Sequence, residues 1–230
     1  MENQNILVSD ASDIEKASFY RKTYLHVAFA ILAFIVVETI LINVVPLEAI
    51  FWMLSGKFIW LFIIGLFWLG SMVSNRLTLD QSRDKQYLGL AFYVLLEAVI
   101  FLPMIYLAAA SAGSLDMILQ AAVITLFMFT GLTAVVFFTK TDFSFLRTVM
   151  IVGGVVSLGA IVAGAIFGFN LGLWFSVGMV ILASTSILYQ TSRLKDHYAT
   201  SQYVGAALKL FSSVMLLFWY VLRILMSRRS

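Results

Sequence analysis

The stretch Tyr203-Val-Gly-Ala-Ala-Leu-Lys-Leu-Phe-Ser-Ser-Val-Met-Leu-Leu-Phe-Trp-Tyr-Val-Leu-Arg-Ile-Leu-Met226 decides how the chain folds. A helix needs about 20 mostly apolar residues to cross a bilayer, and this run is long enough. Six similar segments precede it, over Thr23–Val45, Phe58–Ser74, Tyr87–Ala109, Met117–Phe138, Leu146–Phe167 and Leu173–Ser192. They are too long and too continuous for barrel strands, which alternate apolar and polar residues over about 10 positions. Composition agrees. Of 230 residues, 62% are hydrophobic and 12% charged, with a mean hydropathy of +0.99. Soluble domains are nearer half apolar and a quarter charged, so a soluble or disordered chain is excluded. The predicted fold class is an all-α integral membrane protein with seven spanning helices. Its short connections make neighbouring helices antiparallel.

No cysteine is present, which rules out disulfides, thiolate metal sites and a cysteine nucleophile. The polar stretch 1–22 reads as a tail and 23–226 as the membrane domain, followed by a short tail over 227–230. With Glu2, Asp10, Asp13 and Glu15, the first stretch does not look like a signal peptide. Orientation follows from lysine and arginine. Lys16, Arg21, Lys22, Arg76, Arg83, Lys85, Lys140, Arg147, Arg193 and Lys195 fall on one side, against Lys57 alone on the other. The amino terminus is therefore expected in the cytoplasm. The carboxyl end is ambiguous. A full seventh crossing carries Arg228 and Arg229 outside, against the charge rule, whereas a re-entrant segment keeps them inside. The length of the segment favours the crossing.

Charges within the hydrocarbon are expensive and need a reason. At ~1.5 Å per residue, Glu38 lies roughly 22 Å from the cytoplasmic face, Glu97 roughly 15 Å, Lys209 roughly 9 Å and Arg223 roughly 30 Å. Depth thus groups Glu38 with Arg223 and Glu97 with Lys209. One reading is structural, with two ion pairs tying the last helix to its neighbours. The other is functional, with the carboxylates lining a polar ion path. His26 is expected as an interfacial polar residue and His197 as a solvated loop residue.

Small residues recur on the fifth span, as Gly153 with Ser157 and as Ala160, Gly164 and Gly168. Such spacing lets helices approach closely. Pro103 should kink the third span. Hydroxyls and an amide crowd the end of the sixth (Ser184, Thr185, Ser186, Tyr189, Gln190, Thr191, Ser192), and Ser212 and Ser213 lie mid-way along the last. No enzyme motif, phosphate loop or basic nucleic-acid stripe is present, so no catalytic residue, resident metal or nucleic-acid partner is expected. A retinal protein would also have seven helices and a lysine in the last, but its usual outward amino terminus conflicts with the charge count.

The stretch Phe129-Thr-Gly-Leu-Thr-Ala-Val-Val-Phe-Phe-Thr-Lys-Thr-Asp-Phe-Ser-Phe-Leu146 resembles the signature of the Bax inhibitor family. Ile187-Leu-Tyr-Gln-Thr191 is similar to that family's Ile-Leu-Tyr-Asp-Thr motif, and Leu217-Phe-Trp-Tyr-Val-Leu-Arg223 to its closing helix. The resemblance implies a bundle in which the last helix is enclosed by the other six. It also implies a pH-sensitive calcium leak, sensed by two aspartates that share a proton when closed. Here the positions fall on Gln190 and, ten residues before Arg223, on Ser213. These can form a latch but cannot titrate.

The resulting expectation is a bacterial inner-membrane protein, monomeric in the lipid bilayer, acting as a passive leak for a cation such as calcium. Glu38 and Glu97 would line the path, with Arg223, Lys209 and Arg76 as counter-charges and Gln190 with Ser213 as a neutral latch. No cofactor is expected beyond transient calcium. The alternative is a non-transporting regulator that binds a membrane AAA protease or another membrane partner, a role the resemblance also implies.

Overall fold

Ser12 starts the first spanning helix with a reciprocal cap. Its hydroxyl accepts from the Glu15 amide at 3.4 Å, and the Glu15 carboxylate accepts from the Ser12 amide at 2.9 Å. Helix α1 therefore begins at Asp13, well inside the stretch read as a tail, and runs to Val44, where Pro46 stops it. The computed structural model describes residues 6–55, 57–80, 82–139 and 141–228. Glu2, Lys140 and Arg229 lie outside the described residues, as does the side chain of Lys57.

Seven more α-helices follow. Helix α2 (Leu47–Ser55) is a short element in the first connection that buries Ile50 and Met53. The spans continue with α3 (Lys57–Thr78), α4 (Arg83–Ala112), α5 (Asp116–Phe138), α6 (Leu146–Phe167), α7 (Gly172–Asp196) and α8 (Tyr203–Ser227). All except α2 are long and apolar enough to cross a membrane. Gly113 and Gly168 end α4 and α6 in the left-handed region, at φ 61° and 76°. Gly168 is thus a helix terminator and not part of a packing row. The last segment is one continuous helix, which answers the re-entrant alternative. With seven spans in alternating directions, Asp13 at the start of α1 and Ser227 at the end of α8 lie on opposite sides of the bundle.

Helices α4 and α8 form the core: 61% and 56% of their most apolar stretches are buried, against 0% for α6. Helix α8 packs against α1, α3, α4, α5 and α7. Phe101 of α4 marks the centre, 5.2 Å from the Phe34 ring of α1 and 5.8 Å from the stacked Phe218 ring of α8. Helix α6 sits outside, mainly on α7, where Gly153 admits the Leu182 side chain. Its Val152, Val155 and Val156 are exposed, as lipid-facing residues should be.

The segment before α1 is docked. Val8 is fully buried, and its amide donates to the Tyr198 carbonyl at 2.9 Å. The Thr200 amide donates to the Ile6 carbonyl at 3.0 Å, and Leu7 pairs antiparallel with Ala199. This short strap ties the α7–α8 connection to the start of the chain.

Candidate functional site

A layer of hydroxyls crosses the bundle at mid-height, built on two adjacent serines of α8. Consecutive residues on a helix point about 100° apart, so Ser212 and Ser213 serve different neighbours. Ser212 accepts a 2.7 Å hydrogen bond from the Tyr93 phenol of α4. One turn further along α4, Glu97 faces the same phenol, as does Ser71 of α3. Ser213 turns the other way, donating to the Lys209 carbonyl at 3.0 Å. Its only proton is then committed, so Ser186 of α7 is the donor in their 2.8 Å contact. Helices α4, α8 and α7 are thereby joined through neutral hydroxyls, with one carboxyl group at the edge and the Ser71 hydroxyl of α3 buried without a hydrogen bond among the described residues.

The latch expected between Gln190 and Ser213 is displaced by one turn. Helices α7 and α8 run antiparallel, so Gln190 lies ~6 Å nearer the amino-terminal side than Ser186. Gln190 is half-buried and makes no side-chain hydrogen bond with a described residue.

Both glutamates are buried in the spans, Glu38 at 5% exposure and Glu97 at 6%. Neither forms an ion pair with a described residue, so the two pairings suggested by depth are not made. The reason is helical phase. Lys209 shares the stripe of Ser213, which faces α7, and its charged neighbour is Arg193 of α7. Arg223 follows Tyr220 by one turn, and the Tyr220 ring packs on Phe175 of α7 at 6.0 Å. Both bases thus lean toward α7, while the acids sit on α1 and α4. Arg76 is exposed at the end of α3. Both oxygens of Glu38 are buried with no hydrogen-bond partner among the described residues. Among those residues, no three acidic or histidine side chains are placed to hold a metal ion together.

On the amino-terminal side, a cavity of about 380 Å³ opens beside the turn before α6, lined by Asp142, Arg147, Tyr189, Arg193 and His197 among others. Asp142 accepts both the amide and the hydroxyl of Ser144 at 2.8 Å. These bonds, with a smaller contribution from the His197 charge, hold its carboxyl below the usual aspartate range. His26 does more than sit at an interface. Its Nδ1 donates to the Lys22 carbonyl at 2.7 Å, and its ring stacks on Tyr87 and leans on Tyr203. Three helices meet there.

Sequence reasoning named Glu97, Ser212 and Ser213 but missed Tyr93. A tyrosine in an apolar run looks like packing, and only the four-residue step to Glu97 hints otherwise.

Comparison with known proteins bears on the whole chain. The sequence model of the family described as inhibitor of apoptosis-promoting Bax1 matches residues 16–230. An uncharacterised protein of Pseudomonas aeruginosa is 37% identical over 120 residues, covering 52% of this chain and 53% of that protein. The chain thus spans about half the length of that curated relative.

Proposed function

The chain belongs to the Bax inhibitor family, and from that premise we propose that it is a passive cation leak that accepts calcium, with a neutral latch at its centre. One observation carries this reading. Two glutamates are kept within the membrane-spanning bundle without an ion-pair partner among the described residues. Carboxyl groups that merely fastened helices would be paired with a base or fully hydrogen-bonded, because an unsatisfied buried polar group is costly. Left unpaired, Glu38 and Glu97 are available to a travelling cation. The hydroxyls of Ser186, Ser212, Ser213 and Tyr93 offer it further neutral oxygens, weak ligands because they carry no formal charge. No catalytic chemistry is assigned to the chain.

The protein sits in the bacterial inner membrane with its amino terminus in the cytoplasm, the side on which its lysines and arginines concentrate. The Ser186–Ser213 contact closes the path without a titratable group, so the latch itself does not respond to pH.

Calcium efflux from loaded liposomes containing the purified protein, measured from pH 5 to 8, tests the reading. Efflux above that of protein-free vesicles is expected, with a several-fold loss in Glu97→Gln and Glu38→Gln. Wild-type efflux equal to that of empty vesicles removes it. The neutral latch also favours a second reading, a non-transporting regulator of a membrane AAA protease. Absence of flux together with co-purification of such a protease would establish that one instead.

A further inference from the structure

Tyr24 of α1 lays its ring against two phenylalanines of α5, Phe129 at 6.2 Å and Phe137 at 6.3 Å between centroids. Thr133 lies one turn from each of them on the same helix, so the phenol is directed at its hydroxyl. Thr191 of α7, with 0% exposure, faces the phenol as well. The three oxygens, Tyr24 Oη, Thr133 Oγ1 and Thr191 Oγ1, are all shut off from solvent. None has a hydrogen-bond partner among the described residues, and they do not bond one another directly.

Three hydroxyls from three helices do not converge in apolar surroundings without cost, since each buried polar group left unsatisfied is destabilising. Each can both donate and accept. A buried water typically takes about three hydrogen bonds from otherwise unsatisfied groups. We propose that Tyr24, Thr133 and Thr191 form a binding site for a single water molecule between α1, α5 and α7.

The chemistry selects water over a cation. All three ligands are neutral, and Lys195 follows Thr191 by one turn of α7 and reaches the Val136 carbonyl of α5, adding positive charge on that side. Thr191 also lies between two polar places on α7. Ser192 and Arg193 line the cavity on the amino-terminal side, and Ser186 belongs to the mid-height layer. The bound water is the hydrated step between them. That role rests on the leak reading, whereas the site itself does not.

Two measurements on the purified full chain test it. In wild-type protein, radiolytic hydroxyl-radical labelling should modify the half-buried Tyr24 at the ring positions beside its buried phenol oxygen, because the radical forms from the adjacent water. Labelling should fall several-fold in Thr133→Val. Thermal unfolding should show Tyr24→Phe, Thr133→Val and Thr191→Val each lowering the midpoint by about 2–4 °C. The triple variant should lose less than the sum, because one lost ligand already loosens the water. An unlabelled Tyr24 in wild type overturns the proposal. So do threonine-to-valine variants that melt at the same temperature or higher, the behaviour of dry hydroxyls relieved of their burden. Neither readout involves ion flux, so a failed leak assay leaves this site standing.

Discussion

Ser186 of α7 and Ser213 of α8 stand with their hydroxyl oxygens 2.8 Å apart, one helical turn from the Gln190–Ser213 contact implied by the family pattern. The contact is neutral and interhelical, and it joins the central helix to its most extensively packed neighbour. Ser186→Ala and Ser213→Ala should each cost about 1 kcal/mol in detergent. A double-mutant cycle should show them coupled, while Gln190→Ala with Ser213→Ala should be additive. Aspartates at 186 and 213 together should make flux pH-dependent, as two adjacent carboxyls titrate as a unit. Coupling found at 190 instead of 186 would place the latch where the sequence motif suggests.

Glu38 buries a carboxylate with no described partner. Replacing it by glutamine removes the charge at nearly constant volume. Glu38→Gln should therefore be at least as stable as wild type at pH 8, because an amide cannot ionise there, while it lowers cation efflux. Stability retained while transport is lost marks a functional group. Lower stability in this variant would point to a structural role for the acid.

Asp142 gives a pH signature outside the membrane. Its carboxyl is held below the ordinary aspartate value by the Ser144 amide and hydroxyl. A lowered folded-state value means that the ionised form stabilises the fold. That stabilisation is fully present above the unfolded value of about 3.9, and it is lost as pH falls through the lower folded value. Wild type should thus exceed Asp142→Asn in stability at pH 6, and the difference should shrink toward pH 3. Parallel stability profiles for the two proteins would refute this.

Gly89 sits at a close approach of α4 to α3. A methyl group there would lie 2.9 Å from the Ser74 carbonyl oxygen and 2.8 Å from Leu77 Cβ. The Ser74 hydroxyl also donates to the Gly89 carbonyl at 2.5 Å. Gly89→Ala should cost about 1–3 kcal/mol by forcing the hairpin apart. Gly131→Ala should be tolerated, because nothing approaches its Cβ position within 4 Å. Equal melting temperatures for the two variants would show that the hairpin yields freely.

The strap at the amino terminus should be visible in hydrogen exchange. The Thr200 amide is bonded to the Ile6 carbonyl, and Val8 is fully buried beside it. Val8→Asp should strip protection from Thr200 while amides of α4 and α8 keep theirs. Retained protection at Thr200 would mean that the docking of Val8 is not what holds this connection.

Much of the architecture is set by the sequence alone. A spanning helix satisfies its own backbone and announces itself by length and apolarity, so the segment expected over Leu146–Phe167 is the helix observed there, residue for residue. The first helix is different: its capping box at Ser12 and Glu15 begins it ten residues before the apolar run. Depth along each span is equally legible, because rise per residue is fixed. Rotation about the helix axis is not. Whether Lys209 meets Glu97, or Ser213 meets Gln190, depends on which faces the seven helices turn toward one another. Packing settles that, through contacts such as Phe101 between Phe34 and Phe218. The tertiary structure therefore decided that the glutamates lack the basic partners their depth suggested, that Ser186 and not Gln190 contacts Ser213, and that Tyr24 faces Thr133 and Thr191.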